Sequence, residues 1–244
     1  MLRKSTAALA ALAALCLSPA FADPAEYVFE PTVTEGEREI DFKFGTASNP
    51  GADRLSAASV AFGAGVTRYW FTEVYAKYKR EGATTRFDAV EWENRFQPIE
   101  PGQWPVDLGL VIEVEKPRSA AEGWELNFGP LLEFDYGRTQ INTNLLLHRN
   151  FRAEQGQSMH LAYQAQVKYR YREPFEFGLQ AFGDLGPWDH WAPGNEQSHS
   201  VGPAIFGKFS LSPGHALRYN AAFLWRTGGA ADNRTLRAQV EYEF

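Results

Sequence analysis

MHLAYQAQVKYRYR, residues 159–172, alternates along its length. Leu161, Tyr163, Ala165, Val167, Tyr169 and Tyr171 fall on one side, and His160, Gln164, Gln166, Lys168 and Arg170 on the other. Successive side chains of a strand point to opposite faces, so this segment has one apolar wall and one polar wall. The same period recurs in REIDFKFG (38–45), PVDLGLVIEVEK (105–116) and LRAQVEYEF (236–244). Runs of about 9 to 13 residues exceed the usual 5 or 6 of a globular strand. They match instead the roughly 9 to 11 tilted residues that cross a hydrocarbon layer.

Extended over the chain, this reading predicts an all-β, closed antiparallel up-and-down transmembrane barrel of about twelve strands. The expected strands are 37–45, 55–66, 69–79, 84–96, 105–116, 123–136, 139–151, 158–172, 174–184, 199–211, 215–227 and 234–244. Connections after the odd-numbered strands are longer and polar, among them GTASNPGADR, KREGATT and LGPWDHWAPGNEQSH. Those after the even-numbered strands are tight, apart from QPIEPGQWP (97–105). Long outer loops, short periplasmic turns and periplasmic termini are the pattern of outer-membrane barrels. Pro130 and Pro203 fall inside expected strands, where a missing N–H suggests bulges or else a different register.

The start of the chain sets the compartment. Arg3 and Lys4 precede an apolar run from Ala7 to Leu17, and Ala20-Phe21-Ala22 supplies small residues at a cleavage site. This is the layout of a secretory signal peptide, read as residues 1–22 with cleavage after Ala22. Residues 23–36 are then a periplasmic N-terminal segment and 37–244 the barrel. Cys16, the sole cysteine, lies in the signal, so no disulfide or thiolate site is expected in the exported chain. Losing Arg3 and Lys4 lowers the basic count from 24 to 22 against 30 acids, a net charge of −8. That balance argues against nucleic acid as a partner.

Aromatics gather near strand ends, including Tyr69, Trp70 and Phe71, Trp92 and Phe96, Tyr169 and Tyr171, and Trp225, as interfacial girdles require. The last strand places Leu236, Ala238, Val240, Tyr242 and Phe244 at every second position. It resembles the C-terminal signature by which outer-membrane barrels are recognised for assembly. The resemblance implies Tyr242 and Phe244 as the assembly signal, with outer-membrane lipid and the barrel assembly machinery as partners. WENRF (92–96) followed by DLGLVIEVEK resembles uncharacterised outer-membrane barrels and proteins grouped with the MetA pathway of phenol degradation.

If the apolar faces meet lipid, the polar faces fill the lumen. Glu91, Glu93, Asp107, Glu113, Glu115 and Glu133 then form an acidic wall, opposed by Lys168, Arg170, Arg218, Arg226 and Arg237. Glu113, Glu133, Arg170 and Arg218 fall nearest mid-strand. Ser59, Ala61, Gly63 and Gly65 leave local room. Two functions follow. With the walls apart, the barrel is a passive channel for small hydrophilic, charged or aromatic solutes, the solute itself unspecified. With the walls in contact, it is a salt-bridged structural barrel displaying its loops.

Hydrolase constellations are weak. His148 and Asn150 lack a serine companion, Asp189-His190 lacks a second acidic pair, and His199 has only its neighbours Ser198 and Ser200. The histidines share no metal-ligand spacing, although His190 and His199 could meet within one loop, so neither metal nor cofactor is expected. Trp188, Asp189, His190 and Trp191 mark the longest loop as an extracellular constriction or recognition element.

Overall fold

A computed structural model describes residues 23–48, 53–227 and 234–244. The predicted signal peptide 1–22, with Cys16 and the cleavage position after Ala22, lies outside the described residues. Twelve strands form: β1 Arg38–Ser48, β2 Leu55–Thr67, β3 Trp70–Glu81, β4 Thr84–Phe96, β5 Asp107–Pro117, β6 Trp124–Tyr136, β7 Thr139–Phe151, β8 His160–Arg172, β9 Phe175–Pro187, β10 Ser198–Ser212, β11 His215–Arg226 and β12 Arg234–Glu243. Each pairs antiparallel with its sequence neighbours, and β1 closes on β12 from Glu39↔Glu243 to Ser48↔Arg234. Where the termini meet, the Phe244 N–H donates to the Arg38 carbonyl at 2.8 Å and the Arg38 N–H donates back at 3.2 Å.

Burial is inverted relative to a water-soluble protein. Phe42 is 54% exposed, while its neighbour Asp41 is 2% exposed; Trp92 is 50% exposed beside a wholly buried Glu93. Large apolar side chains on every strand face outward, and a continuous belt of this kind needs an apolar medium around it. Charged and amide side chains point inward. Most of the expected girdle aromatics stand on the outer face. Phe71 does not: it is buried inside, with the Arg95 guanidinium 4.2 Å over its ring.

The connections follow the alternating plan with one change. At the end holding the termini, the β2–β3, β6–β7, β8–β9 and β10–β11 connections have two residues each, and 97–106 is the longer one. At the opposite end, the expected loop KREGATT is instead a two-residue turn, because the ladder continues to Glu81↔Thr84. Its polar residues satisfy one another there, with Lys79 2.6 Å from Asp88 and Arg86 3.4 Å from Glu81. The two prolines do not mark bulges. Pairing with β7 lapses at Gly129 and Pro130, and pairing with β11 lapses at Gly202 and Pro203, but register is the same on both sides of each gap.

The main departure concerns residues 23–36, expected as a periplasmic extension. They run inside the barrel, starting beside the far part of β1 and leaving at the end where the termini meet. Val28, Phe29, Pro31 and Val33 are buried there. Two inward-facing glycines give the segment its path. A Cβ on Gly45 would lie 1.9 Å from the Pro24 carbonyl oxygen, and one on Gly65 would lie 1.8 Å from that of Thr34. No residue other than glycine permits this approach. The room inferred at Gly63 and Gly65 is thus filled, by the Phe71 ring beside Gly63 and by the segment at Gly65.

Candidate functional site

The lumen is a polar chamber crossed by the segment 23–36. Backbone polar groups inside a barrel need partners, and the strands supply them. Phe29 donates its N–H to Gln164 Oε1 at 3.3 Å and accepts from Asn144 Nδ2 at 3.1 Å. Gln97, at the start of the long connection 97–106, accepts the Val33 N–H at 2.7 Å. That contact gives the long connection a role: it receives the segment as it leaves the barrel. Near the other end, Arg237 donates to the Glu26 carbonyl and also, at 2.6 Å, to Gln180 Oε1.

At the centre, Tyr27 of the segment joins a charged cluster on β1, β3 and β4. Its hydroxyl donates to Glu93 and lies 3.2 Å from the Tyr75 hydroxyl. Lys43 Nζ sits 3.1 Å above the Tyr27 ring and donates to Tyr75 at 2.6 Å; Tyr75 in turn donates to Glu73 at 2.5 Å. Asp41 is 3.2 Å from Lys43, and Arg95 is 3.0 Å from Glu93. Buried charges persist only when paired and hydrogen-bonded. The cluster approaches that condition by taking Tyr27 from the segment into itself, although Asp41 Oδ1 and Glu73 Oε1 keep no hydrogen-bond partner among the described residues.

The segment divides the lumen into two cavities. One of about 400 Å³ opens toward the long connections and is lined by Glu91, Glu113, Glu115, Asp184 and Ser200 among others. One of about 130 Å³ lies toward the termini, between Glu30, Glu39, Glu176, Arg218 and Glu241. Tyr27 and Tyr75 line both. On the segment itself, Lys168 at 3.2 Å holds the Glu30 carboxyl down at about 2, whereas burial pushes Glu26 up to about 7.

The expected lumenal charges are placed unevenly. Glu91, Glu93, Glu113, Glu115, Glu133, Lys168 and Arg218 are inside. Their pairing is local and does not run from wall to wall: Lys77 holds Glu91 at 3.0 Å and Glu115 at 2.6 Å, and Arg218 contacts Glu243. Glu113 accepts from Asn127, and Glu133 accepts from Gln140 at 2.5 Å and Asn142 at 2.7 Å. Arg237 is buried with amide and carbonyl partners. Arg226 is half-buried near the end of β11. Arg170 is not at mid-strand. It lies two residues from the end of β8, 3.0 Å from Asp135, where both side chains are well exposed. Asp107 caps the Gly102 N–H at 2.6 Å, outside the central cluster.

Charges on strands outside the two expected walls were missed. Glu39, Asp41, Lys43, Glu73 and Lys77 form the core of the lumen, with Glu241 and Glu243 beside Arg218. Each alternates with outward Ile, Phe, Val or Tyr, which was the available signal. Tyr27 had no comparable signal, because the segment is too short and irregular to show a period.

Trp188, Asp189, His190 and Trp191 stand exposed on the loop, and none lines either cavity. They do not constrict the lumen. His190 and His199 do not meet: His190 contacts Asp189 at 2.7 Å, and His199 contacts Tyr163 and Gln197. The histidines that do converge are His148 and His160. Both approach Asp184, at 3.2 and 3.4 Å, from adjacent strands. The absence of ligand spacing in the sequence thus hid a His–His–Asp cluster, because its members come from β7, β8 and β9.

No family model matches the chain, and no curated protein matches it in sequence. Solved structures do share its fold. A KdgM porin in complex with disordered oligogalacturonate superimposes with a TM-score of 0.58 at 8% identity, over 84% of this chain and 99% of that one. The NanC porin gives 0.57 at 12% identity, over 82% and 98%. An outer-membrane channel from Pseudomonas putida F1 gives 0.59 at 9% identity, over 92% and 100%. The fold is that of porin-like outer-membrane barrels.

Proposed function

We propose that this protein is an outer-membrane channel for small hydrophilic, charged or aromatic solutes, closed across its middle by its own N-terminal segment. The observation that carries the reading is a lumen lined by charges and amides, with cavities on both sides of residues 23–36, inside an apolar outer wall. The fold shared with porins supports it. Paired charges around each cavity would orient polar solutes by sign and geometry. Tyr242 and Phe244 serve as the assembly signal on this reading, and the outer belt takes lipid. A second reading, a structural barrel that never opens, is favoured by the buried pairing around Tyr27.

Planar-bilayer conductance separates the two. The full chain is compared with a variant lacking residues 24–35, which leaves β1 intact. Larger discrete steps in the shortened protein support the channel. Silence from both, with insertion confirmed by a heat-dependent gel shift, supports the sealed barrel.

A further inference from the structure

We infer that His148, His160 and Asp184 form a binding site for a divalent transition-metal cation of the zinc class. The three side chains enter the lumen from β7, β8 and β9. His148 and His160 are direct cross-strand partners, with rings 5.5 Å apart. A register shift between His160 and Ala162 carries Asp184 of β9 into line with them. One ligand atom from each lies within 4.8 Å of the others.

The distances fit a metal. Bonds of about 2.0–2.1 Å put tetrahedral ligand atoms roughly 3.3–3.4 Å apart. Asp184 Oδ2 lies 3.2 Å from His148 Nε2 and 3.4 Å from His160 Nδ1. A cation could therefore enter with small side-chain movements. Two imidazoles and one carboxylate select late first-row ions over calcium or magnesium, which prefer oxygen alone.

The surroundings resemble a metal site's outer shell. The Gly186 N–H donates to Asp184 Oδ1 at 2.7 Å, fixing the carboxylate with Oδ2 toward the histidines. On the far side of the His148 ring, Nδ1 is 4.0 Å from Glu125 Oε1, an ion-pair separation that a small side-chain movement would close to a hydrogen bond. A carboxylate behind a metal-bound imidazole sets its tautomer and raises its basicity. His148, Asp184 and Glu125 line the larger cavity, leaving a fourth coordination position open to water or solute. The site stands on the barrel wall, so it does not depend on whether the lumen conducts.

The test uses the refolded full chain in detergent, titrated with Zn²⁺ by calorimetry and with Co²⁺ by visible absorption. One ion per barrel is expected, with the absorption of a low-coordinate Co²⁺ site and no competition from excess Mg²⁺. His148→Gln and His160→Gln keep hydrogen-bonding capacity and should each weaken binding by at least about 30-fold, and Glu125→Gln by about 10-fold. Folding of each variant is read from its heat-dependent gel shift. Failure of the folded wild-type protein to bind, or undiminished binding by the folded double glutamine variant, overturns the site.

Discussion

Tyr27 donates its hydroxyl proton to Glu93, so a residue from the irregular N-terminal segment completes a charged cluster in the barrel wall. Glu93 is wholly buried, and Arg95 and Tyr27 are its closest partners. A hydrogen bond to a charged acceptor contributes about 1.5–3 kcal/mol. Tyr27→Phe removes it while keeping the ring under Lys43. Docking of the segment should weaken by roughly 10- to 100-fold. Because Cys16 is the chain's single cysteine, one introduced thiol can be read alone. In a Cys16→Ser background, a thiol at Ala25→Cys should react with a polar maleimide faster by that factor in the Tyr27→Phe protein.

Gly45 provides a steric counterpart to that electronic change. A methyl group there would meet the Pro24 carbonyl oxygen at 1.9 Å, well inside contact, and the obstacle is backbone. Gly45→Ala should displace the start of the segment while the barrel itself remains, since glycine already weakens a strand interior and alanine does so less. Labelling at position 25 should rise at least about tenfold, with barrel unfolding in urea changed by no more than about 1 kcal/mol. Unchanged labelling would mean that the segment does not lie against β1 in solution.

Acidity offers a third handle on the same segment. Burial raises the Glu26 carboxyl to about 7, against the opposing pull of Gln164 and Arg237; Asp23 adds to the rise and His148 opposes it. A carboxyl whose docked value lies above its free value favours docking most below the free value, near 4.5. That contribution is lost as pH climbs through about 7. Between about pH 5.5 and 8.5, open probability in bilayers should therefore rise. Glu26→Gln should remove most of this dependence. A Glu26→Gln protein with the full pH response would place the titrating group elsewhere.

These experiments concentrate on residues 23–36 because that is where sequence periodicity stopped informing. The strands were legible because lipid outside and a wet lumen inside impose an alternation that repeats at every second residue; Phe42 and Asp41 are assigned by that rule alone. The strand ends near Lys79 and Thr84 were less legible, since a polar hairpin that projects beyond the belt has the composition of a loop. The inward segment left only indirect traces. Gly45, Gly65 and Gly109 are inward positions without side chains, and the wall lacks bulk there because another stretch of backbone occupies the space. Ligand convergence at Asp184 was hidden for a different reason: cross-strand neighbours about a dozen or more residues apart carry no local spacing signal.

Lys77 and Arg218 distinguish charges that hold the lumen together from charges that filter solutes. Lys77, 21% exposed, lies between Glu91 and Glu115 and is 3.8 Å from Asp23. Lys77→Met leaves two largely buried carboxylates facing each other, and removing one member of such a set costs about 3 kcal/mol. It should lower the urea midpoint and shift the reversal potential toward cation selectivity. Arg218 is twice as exposed, at 43%, and borders the smaller cavity. Arg218→Ala should shift selectivity in the same direction while leaving the urea midpoint nearly unchanged, because Glu243 keeps Lys208 at 2.7 Å and Glu241 borders the cavity, where water can reach it once the arginine is gone. Paired measurements of midpoint and reversal potential on the two variants test the distinction. Equal losses of stability would show that the Arg218 pairs are as dry as the Lys77 cluster, and that the smaller cavity is sealed from bulk water.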